Sequence, residues 1–239
     1  MKEHTGETFV LIHGAWNGGW VWGDVADILR KSGNVVYTPT LAGVGTRARD
    51  DVPSINLSTH VNEITHLIVN ENLKDIVLVG WSYGGFVAAG VTSKAFSRIK
   101  KVIYLDSIIP ENFTSLTDYI PDANRVAVRE IARKGGAVPP PAAADWGLRQ
   151  PSLAKLVEAR MTPHPAKTFV ETLHLTYEGE AVAKSFIYCA GYGKTMFSAT
   201  YEHLKAQQRI PCLSIESNHF CMVSDPDITA QALVLSANA

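Results

Sequence analysis

The sequence lacks the features that mark several common classes of protein. Only three of its 239 residues are cysteines, namely Cys189, Cys212 and Cys221. Their odd number and their spacing match neither a disulfide framework nor a metal site. We expect them to be reduced, mostly buried thiols in a cytoplasmic protein. No stretch approaches the ~20 apolar residues of a membrane span. The polar first residues also lack the apolar segment of a signal peptide.

The chain also has no strong charge of either sign. Its net charge is −1, with lysine and arginine scattered along the chain, so we expect no nucleic-acid, polyanionic or membrane partner. With 46% hydrophobic and 19% charged residues, the composition is that of an ordinary globular protein. The length suffices for one α/β domain with an inserted cap. We expect a monomer or a homodimer.

Short apolar runs alternate with helical patterns through most of the chain. We predict strands at residues 8–13, 35–38, 76–79, 101–105, 185–189 and 212–215. Helices are predicted at 20–31, after Ser58 as an N-cap, and after Asp225, which precedes a proline suited to the first helical position. This β-α-β-α alternation predicts a mainly parallel sheet of about six strands with helices on both faces.

The pattern changes after Pro110. Residues 111–183 contain no strong strand run, but they contain helical stretches at 123–134 and 151–160 separated by proline-rich segments. We interpret 111–183 as a helical cap inserted into a core formed by 1–110 and 184–239.

A nucleophile motif follows the strand at 76–79. The segment Gly80-Trp81-Ser82-Tyr83-Gly84 fits G-x-S-x-G, and small and apolar residues after it can form a helix. Glycines two residues before and after the serine permit close strand–helix packing, and a helix N-terminus directs N–H groups toward a developing oxyanion. The context predicts that Ser82 is a catalytic nucleophile.

Further motifs carry a family resemblance along nearly the whole chain. They are the octapeptide F-V-L-I-H-G-A-W at 9–16, W-V-W at 20–22, G-W-S-Y-G-G at 80–85, Y-L-D at 104–106 and N-H at 218–219. In this order they resemble the α/β-hydrolase superfamily. The resemblance is greatest to small esterases grouped with plant methyl-ester esterases and hydroxynitrile lyases, and to their bacterial relatives. It implies an α/β-hydrolase fold and serine hydrolysis without a metal or organic cofactor.

The resemblance also implies the partners of Ser82. His219 lies just past the last strand, where the family has its catalytic base, and the chain order of serine, acid and histidine is respected. Most members place the acid after the strand at 185–189, but here residues 190–197 contain no carboxylate. We therefore predict that Asp106, at the end of the strand beside the nucleophile strand, hydrogen-bonds His219. Glu216 remains the alternative acid.

The remaining site residues follow from the same resemblance. The oxyanion hole would use the backbone N–H groups of Ala15 and Tyr83. Aromatic residues near the motifs and in the cap are candidate walls of an apolar pocket for an ester or lactone, namely Trp16, Trp81, Tyr119 and Trp146.

Two other functions remain open on this scaffold. A carbon–carbon lyase of the hydroxynitrile type would carry Thr in place of Gly14 and Lys in place of Phe220, so both positions favour hydrolysis. A non-catalytic ligand receptor is the second alternative, and the presence of Ser82, His219 and a usable acid argues against it.

Overall fold

The computed structural model describes residues 6–193 and 195–239, so the polar residues 1–5 lie outside the described part. Its centre is a six-stranded parallel sheet in the order β2-β1-β3-β4-β7-β8. These strands are β1 (Thr8–Ile12), β2 (Val35–Tyr37), β3 (Ile76–Trp81), β4 (Ile99–Leu105), β7 (Lys184–Cys189) and β8 (Cys212–Ile215). The predicted α/β-hydrolase type of sheet is confirmed.

The central strands are apolar along their length because both faces of the sheet are covered. In β1, Val10 and Ile12 join one hydrophobic cluster, whereas Phe9 and Leu11 join the cluster on the opposite face. Successive side chains of a strand point to opposite faces. An unbroken apolar run is therefore the pattern of a strand buried on both sides.

Helices cover the two faces. Those outside the segment between β4 and β7 are α1 (Gly23–Lys31), α2 (Leu57–Asn70), α3 (Gly84–Ala95), α8 (Met196–Gln207), α9 (Cys221–Ser224) and α10 (Pro226–Asn238). Apolar residues of α1 and α10 belong to one hydrophobic cluster, and those of α2 and α3 belong to the other. Among the described residues, no helix is both long and apolar enough to cross a membrane.

Of the two predicted helix N-caps, one is displaced and the other keeps its position without capping the helix through its side chain. The N-cap of α2 is Asn56 rather than Ser58, because Asn56 Oδ1 accepts from the Thr59 N–H and Thr59 returns a bond to the Asn56 N–H. Asp225 does occupy the N-cap position of α10, but its carboxylate accepts from Ser217 and Ser224 instead of capping the helix. Side-chain hydrogen bonds thus decide which polar residue caps α2, and whether the Asp225 carboxylate is available to cap α10.

The segment between β4 and β7 is mainly helical. It contains α4 (Asp122–Arg133), α5 (Pro151–Glu158), α6 (Lys167–Val170) and α7 (Tyr177–Ala181) together with short 3-10 turns. It also contains an antiparallel strand pair that sequence patterns did not predict, β5 (Ala137–Val138) and β6 (His164–Pro165). Strands of two residues are too short to produce an apolar alternation.

The strand order reverses between β1 and β3. The chain passes from β1 outward to β2 on one side, and then returns to β3 and β4 on the other side. In open parallel sheets, ligand sites form beyond the carboxyl ends of the strands at such a switch point. The loops after β1, β3 and β4 begin there and carry Ala15, Ser82 and Asp106.

Candidate active site

Ser82 occupies a strained turn between β3 and α3. Its φ of 54° lies in the left-handed region, which a residue with a Cβ adopts at a cost. The turn requires glycine on both sides. A Cβ on Gly80 would lie 2.6 Å from the Gly84 carbonyl oxygen, and a Cβ on Gly84 would lie 2.7 Å from the Ile12 carbonyl oxygen. Ser107 Oγ donates 2.6 Å to the Ser82 carbonyl oxygen, which holds the turn in place.

His219 and Asp106 are joined directly. The distance between His219 Nδ1 and Asp106 Oδ2 is 2.7 Å, and both side chains are buried. The predicted hydrogen bond is therefore present, although 113 positions separate the two residues in the chain. Because a carboxylate only accepts, the bond places the proton on Nδ1 and leaves Nε2 as the free acceptor. Ser82 and His219 line one cavity.

Asp106 is held by donors from the last residue of β7 and from the loop after it. Its Oδ1 accepts from the Cys189 N–H at 3.1 Å, and its Oδ2 accepts from the Tyr192 hydroxyl at 2.6 Å. Burial and the nearby carboxylate raise the pKa of Tyr192 above its ordinary value, so its hydroxyl remains a donor. Glu216, the alternative acid, is exposed to solvent, whereas His219 is buried against Asp106.

Aromatic side chains fix the imidazole of His219. The ring of Trp146 stacks on it at 4.7 Å between centroids, and Phe197 stacks at 5.2 Å. The Trp146 carbonyl oxygen accepts from the His219 N–H at 3.2 Å, and Trp81 Nε1 donates to the His219 carbonyl oxygen at 2.9 Å. Trp146, which belongs to the segment between β4 and β7, thus contacts His219 through both its ring and its backbone.

The two predicted oxyanion donors lie at the ends of β1 and β3. Within the described residues, the backbone N–H groups of Ala15 and Tyr83 donate to no protein acceptor. Tyr83 directly follows Ser82 and precedes α3. The macrodipole of α3 therefore favours negative charge at this point. Ala15 lines the same cavity as Ser82.

The loop after Ala15 is fastened to the segment between β4 and β7. The Trp16 N–H donates 3.2 Å to His164 Nδ1, Trp16 Nε1 donates 3.0 Å to the Val138 carbonyl oxygen, and the Trp16 carbonyl oxygen accepts from the Thr162 N–H at 2.9 Å. Trp16 itself has a positive φ of 64°. These bonds hold it in a conformation that its Cβ disfavours.

His164 is one of three neutral histidines buried beneath this loop. Its Nδ1 accepts from Trp16, so its Nε2 carries the proton that bonds Thr168 Oγ1 at 2.9 Å. Burial lowers the pKa of His164 well below its ordinary value, and the nearby His60 and His13 lower it further. The hydrogen-bond partners and the burial both favour the uncharged ring.

His60 and His13 are satisfied in the same way. His60 Nε2 donates to the Ala42 carbonyl oxygen and its Nδ1 accepts from the Tyr83 hydroxyl, each at 2.9 Å. His13 Nδ1 donates to the Gly14 carbonyl oxygen, and its Nε2 accepts from the backbone at 3.1 Å. Burial lowers the pKa of both rings to about 4. Neither ring reaches the cavity at Ser82.

The cavity at Ser82 is narrow and mostly apolar. Its residues come from the loops after β1, β3 and β8 and from the segment between β4 and β7: Ala15, Trp16, Asn17, Trp81, Ser82, Trp146, Met161, His219 and Phe220. Its volume is about 10 Å³. That is room for about one water, so a substrate enters only when the walls move apart.

Tyr119 does not line this cavity, in contrast to the sequence-based prediction. Its hydroxyl accepts from the Glu111 N–H at 2.9 Å and lies 3.1 Å from Thr114 Oγ1, while its ring packs edge-on against Phe86. The side chain is therefore part of the packing between its own segment and α3. The other predicted walls, Trp16, Trp81 and Trp146, do line the cavity.

Sequence reasoning missed several residues at the site. Tyr192 lies in the stretch 190–197, which contains no carboxylate, and a tyrosine there carries no motif. Asn17 and His164 likewise belong to none of the motifs in the sequence. His164 contacts Trp16 across 148 positions of the chain, and Tyr192 contacts Asp106 across 86 positions. No local signal in the sequence identifies such contacts.

Among the described residues, no group of three or more His, Cys, Asp or Glu side chains is arranged to hold a metal.

Comparisons with known proteins identify a family and a fold. Residues 9–232 match the model of the alpha/beta hydrolase family. The chain is 35% identical to a carbendazim hydrolyzing esterase from Nocardioides sp. (strain SG-4G), over 94% of this chain and 97% of that protein. It is 28% identical to a putative chloroplastic methylesterase 15 from Arabidopsis thaliana, over 82% of this chain and 47% of the plant protein.

Solved structures show the same fold. An extracellular alpha/beta-hydrolase from a Paenibacillus species superposes with a TM-score of 0.84 at 24% identity, covering 96% of this chain and 98% of the other. Tomato methylketone synthase I superposes with a TM-score of 0.78 at 20% identity, covering 98% of both chains. At these identities the likeness concerns the fold.

Proposed function

This chain belongs to the alpha/beta hydrolase family, and on that premise we propose that it is a serine esterase that cleaves a carboxylic ester or lactone through an acyl-enzyme. The observation that carries the proposal is the 2.7 Å hydrogen bond between His219 Nδ1 and Asp106 Oδ2. That bond orients an imidazole that shares a cavity with the strained Ser82. Nucleophile, base and orienting carboxylate are the parts that acyl transfer needs.

Each residue has a role in the proposed reaction. Ser82 Oγ attacks the carbonyl carbon while His219 Nε2 takes its proton. The N–H groups of Ala15 and Tyr83 stabilise the oxyanion. His219 then gives the proton to the leaving oxygen, so the C–O bond breaks and an alcohol departs. Asp106 keeps the proton on Nδ1 and stabilises the imidazolium. Water attacks the acyl-enzyme by the same route and releases the acid.

The walls of the cavity support an apolar substrate. Trp16, Trp81 and Trp146 surround Ser82 and His219, together with Met161 and Phe220. Apolar walls with a few polar groups are typical of small-molecule sites. The relative from Nocardioides is described as an esterase, which supports an ester as the bond that is cleaved here. Residues 111–183 act as the cap in this proposal, and their movement admits the substrate.

The lyase alternative is less well supported. A Cβ at Gly14 would lie 3.0 Å from Ser82 Cβ and 3.0 Å from the Trp81 ring. A threonine in that place would therefore displace the nucleophile or the tryptophan. Phe220 is buried against Trp81, where a lysine would be costly unless paired. A ligand receptor would have no need for the strained turn at Ser82.

Two further expectations from the sequence are part of the proposal. We expect a cytoplasmic enzyme, and we expect a monomer or a homodimer. Cell fractionation with activity measured in each fraction tests the first expectation. Light scattering of the purified protein tests the second.

Hydrolysis of p-nitrophenyl acetate tests the proposed function. The wild type should turn the ester over, and a rapid quench should reveal an acetyl group on Ser82 by mass spectrometry. Ser82→Ala should lower kcat by several orders of magnitude, on the order of 10⁶ in a comparable enzyme, while circular dichroism shows an intact fold.

Ser152→Ala is the matched control, because Ser152 is an exposed serine in α5 and should keep wild-type activity. Turnover by Ser82→Ala within tenfold of wild type would exclude Ser82 as the nucleophile.

A further inference from the structure

Asn17 carries a buried oxygen that no hydrogen bond satisfies. Its side chain is 2% exposed, and within residues 6–193 and 195–239 Oδ1 has no hydrogen-bond partner. The orientation of the amide is determined by its other end. Nδ2 donates 2.7 Å to the Ala15 carbonyl oxygen, and the flipped amide would place two acceptors against each other. Buried acceptors without a partner are rare because they are costly.

This oxygen belongs to a residue of the catalytic cavity. Asn17 lines the cavity together with Ala15, Ser82 and His219, and the other walls there are largely apolar. Asn17 is two positions from Ala15 and hydrogen-bonded to it. It therefore belongs to the loop after β1 that carries the proposed oxyanion donor Ala15, which we call the oxyanion loop. Because the cavity is small, any substrate group that reaches Asn17 lies within a few atoms of the carbonyl that Ser82 attacks.

We propose that Asn17 is a specificity-determining residue whose Oδ1 accepts a hydrogen bond from the substrate. The inference rests on the proposed function and names the substrate class. The leaving oxygen must lie beside His219 Nε2, which protonates it, so the oxyanion loop faces the acyl part. The donor is therefore an N–H or O–H whose heavy atom is one or two bonds from the scissile carbonyl carbon, with an apolar group beside it. Carbamates and 2-hydroxy esters have this chemistry.

A competing explanation gives Asn17 a purely structural role. In that case Nδ2 shapes the loop through Ala15, and Oδ1 contributes nothing to recognition. Loss of the side chain would then weaken the binding of all substrates alike, because the loop itself is disturbed. If Asn17 recognises the substrate, its loss weakens the binding only of substrates that carry the donor. The two explanations therefore differ in a ratio between paired compounds.

Two pairs of methyl esters measure this ratio. Methyl phenylcarbamate is compared with methyl N-methyl-N-phenylcarbamate, and methyl mandelate is compared with methyl 2-phenylpropanoate. In each pair, only the first compound carries the donor, and the two pairs distinguish an N–H from an O–H. Dissociation constants come from tryptophan fluorescence, since Trp16, Trp81 and Trp146 line the cavity, and each variant is titrated in the Ser82→Ala background so that the esters are not hydrolysed. Competition with p-nitrophenyl acetate provides a second measurement.

The wild type should bind the donor compound of at least one pair about tenfold more tightly than its partner. Asn17→Leu, which keeps the approximate volume, should reduce that ratio to about one. His164→Gln disturbs the same loop through the Trp16 N–H but leaves Asn17 in place. It should weaken both compounds together and keep the wild-type ratio.

Several outcomes would overturn the inference. A wild type that prefers neither donor compound, or an Asn17→Leu variant with the wild-type ratio, shows that Oδ1 does not recognise substrate. If Asn17→Leu fails to fold by circular dichroism, Asn17→Ala takes its place with the same expectation. Failure of the proposed function is recognised separately, as ester hydrolysis that survives Ser82→Ala.

Discussion

The hydroxyl of Tyr192 donates a 2.6 Å hydrogen bond to Oδ2 of Asp106. His219 Nδ1 bonds the same oxygen at 2.7 Å. The loop after β7 thus supplies a donor to Asp106, the proposed catalytic acid, which directly follows β4. Together with the Cys189 N–H, Tyr192 holds the carboxylate in the orientation that His219 requires.

We therefore expect Tyr192→Phe to lower kcat/KM about tenfold, the effect of one lost hydrogen bond to a charged group. The ring remains, so packing against His219 is kept. A double-mutant cycle with Asp106→Asn provides the test, because Tyr192 acts through Asp106. Tyr192→Phe should have little further effect once Asp106 is altered. Additive losses in the two variants would show that Tyr192 acts on the reaction by another route.

The identity of the acid is tested by two near-isosteric variants. Asp106→Asn should reduce kcat by about 10⁴ at neutral pH, because the amide stabilises the wrong tautomer of His219. Glu216→Gln should have a mild effect, since Glu216 is exposed. Steady-state kinetics with p-nitrophenyl acetate compares them. The reverse result, an inactive Glu216→Gln and an active Asp106→Asn, would place the acid in the loop after β8.

Two aromatic residues of the predicted cap should behave differently. Trp146→Leu should raise KM and lower kcat, because Trp146 lines the cavity and stacks on His219. Tyr119→Phe is the matched variant, and it loses only a hydroxyl that bonds the Glu111 N–H. It should leave KM unchanged. Equal changes in KM for both variants would indicate that the substrate site extends beyond the cavity at Ser82.

The buried histidines make stability depend on pH. Burial lowers the pKa of His13 and His60 to about 4 in the folded protein, whereas the unfolded chain takes up protons near pH 6.5. Between these values the unfolded state binds more protons, so the free energy of unfolding falls as the pH falls. One such histidine accounts for about 2 kcal/mol between pH 7 and about pH 5.

Urea unfolding of His60→Gln measures this contribution. The loss of stability between pH 7 and pH 5 should be about 2 kcal/mol smaller than in the wild type. Tyr83→Phe serves as the control, because it removes the partner of His60 Nδ1 without removing the histidine. It should lower stability at both pH values and keep the pH dependence. A wild-type pH dependence in His60→Gln would mean that His60 does not carry the effect.

Local patterns in the sequence determined the framework of this protein. All six strands of the sheet were predicted to within about two residues at their ends, because strands buried on both faces are continuous apolar runs. The turn around Ser82 was also predictable, since its G-x-S-x-G motif is contiguous in the sequence, although Gly84 is required by a contact with Ile12 on β1. The segment 111–183 stood out because it lacks such runs, although its β5–β6 pair was too short to be predicted.

Only the tertiary structure decided which of these parts meet. Asp106 and Glu216 were both candidate acids, and the structure brings only Asp106 to His219, with 113 positions between the two residues. It also places Tyr119 outside the cavity and buries Asn17 Oδ1 in the loop after β1. Such contacts depend on how helices and loops pack on the sheet. Packing brings together residues that share no local pattern, so no single stretch of the sequence shows which residues are in contact.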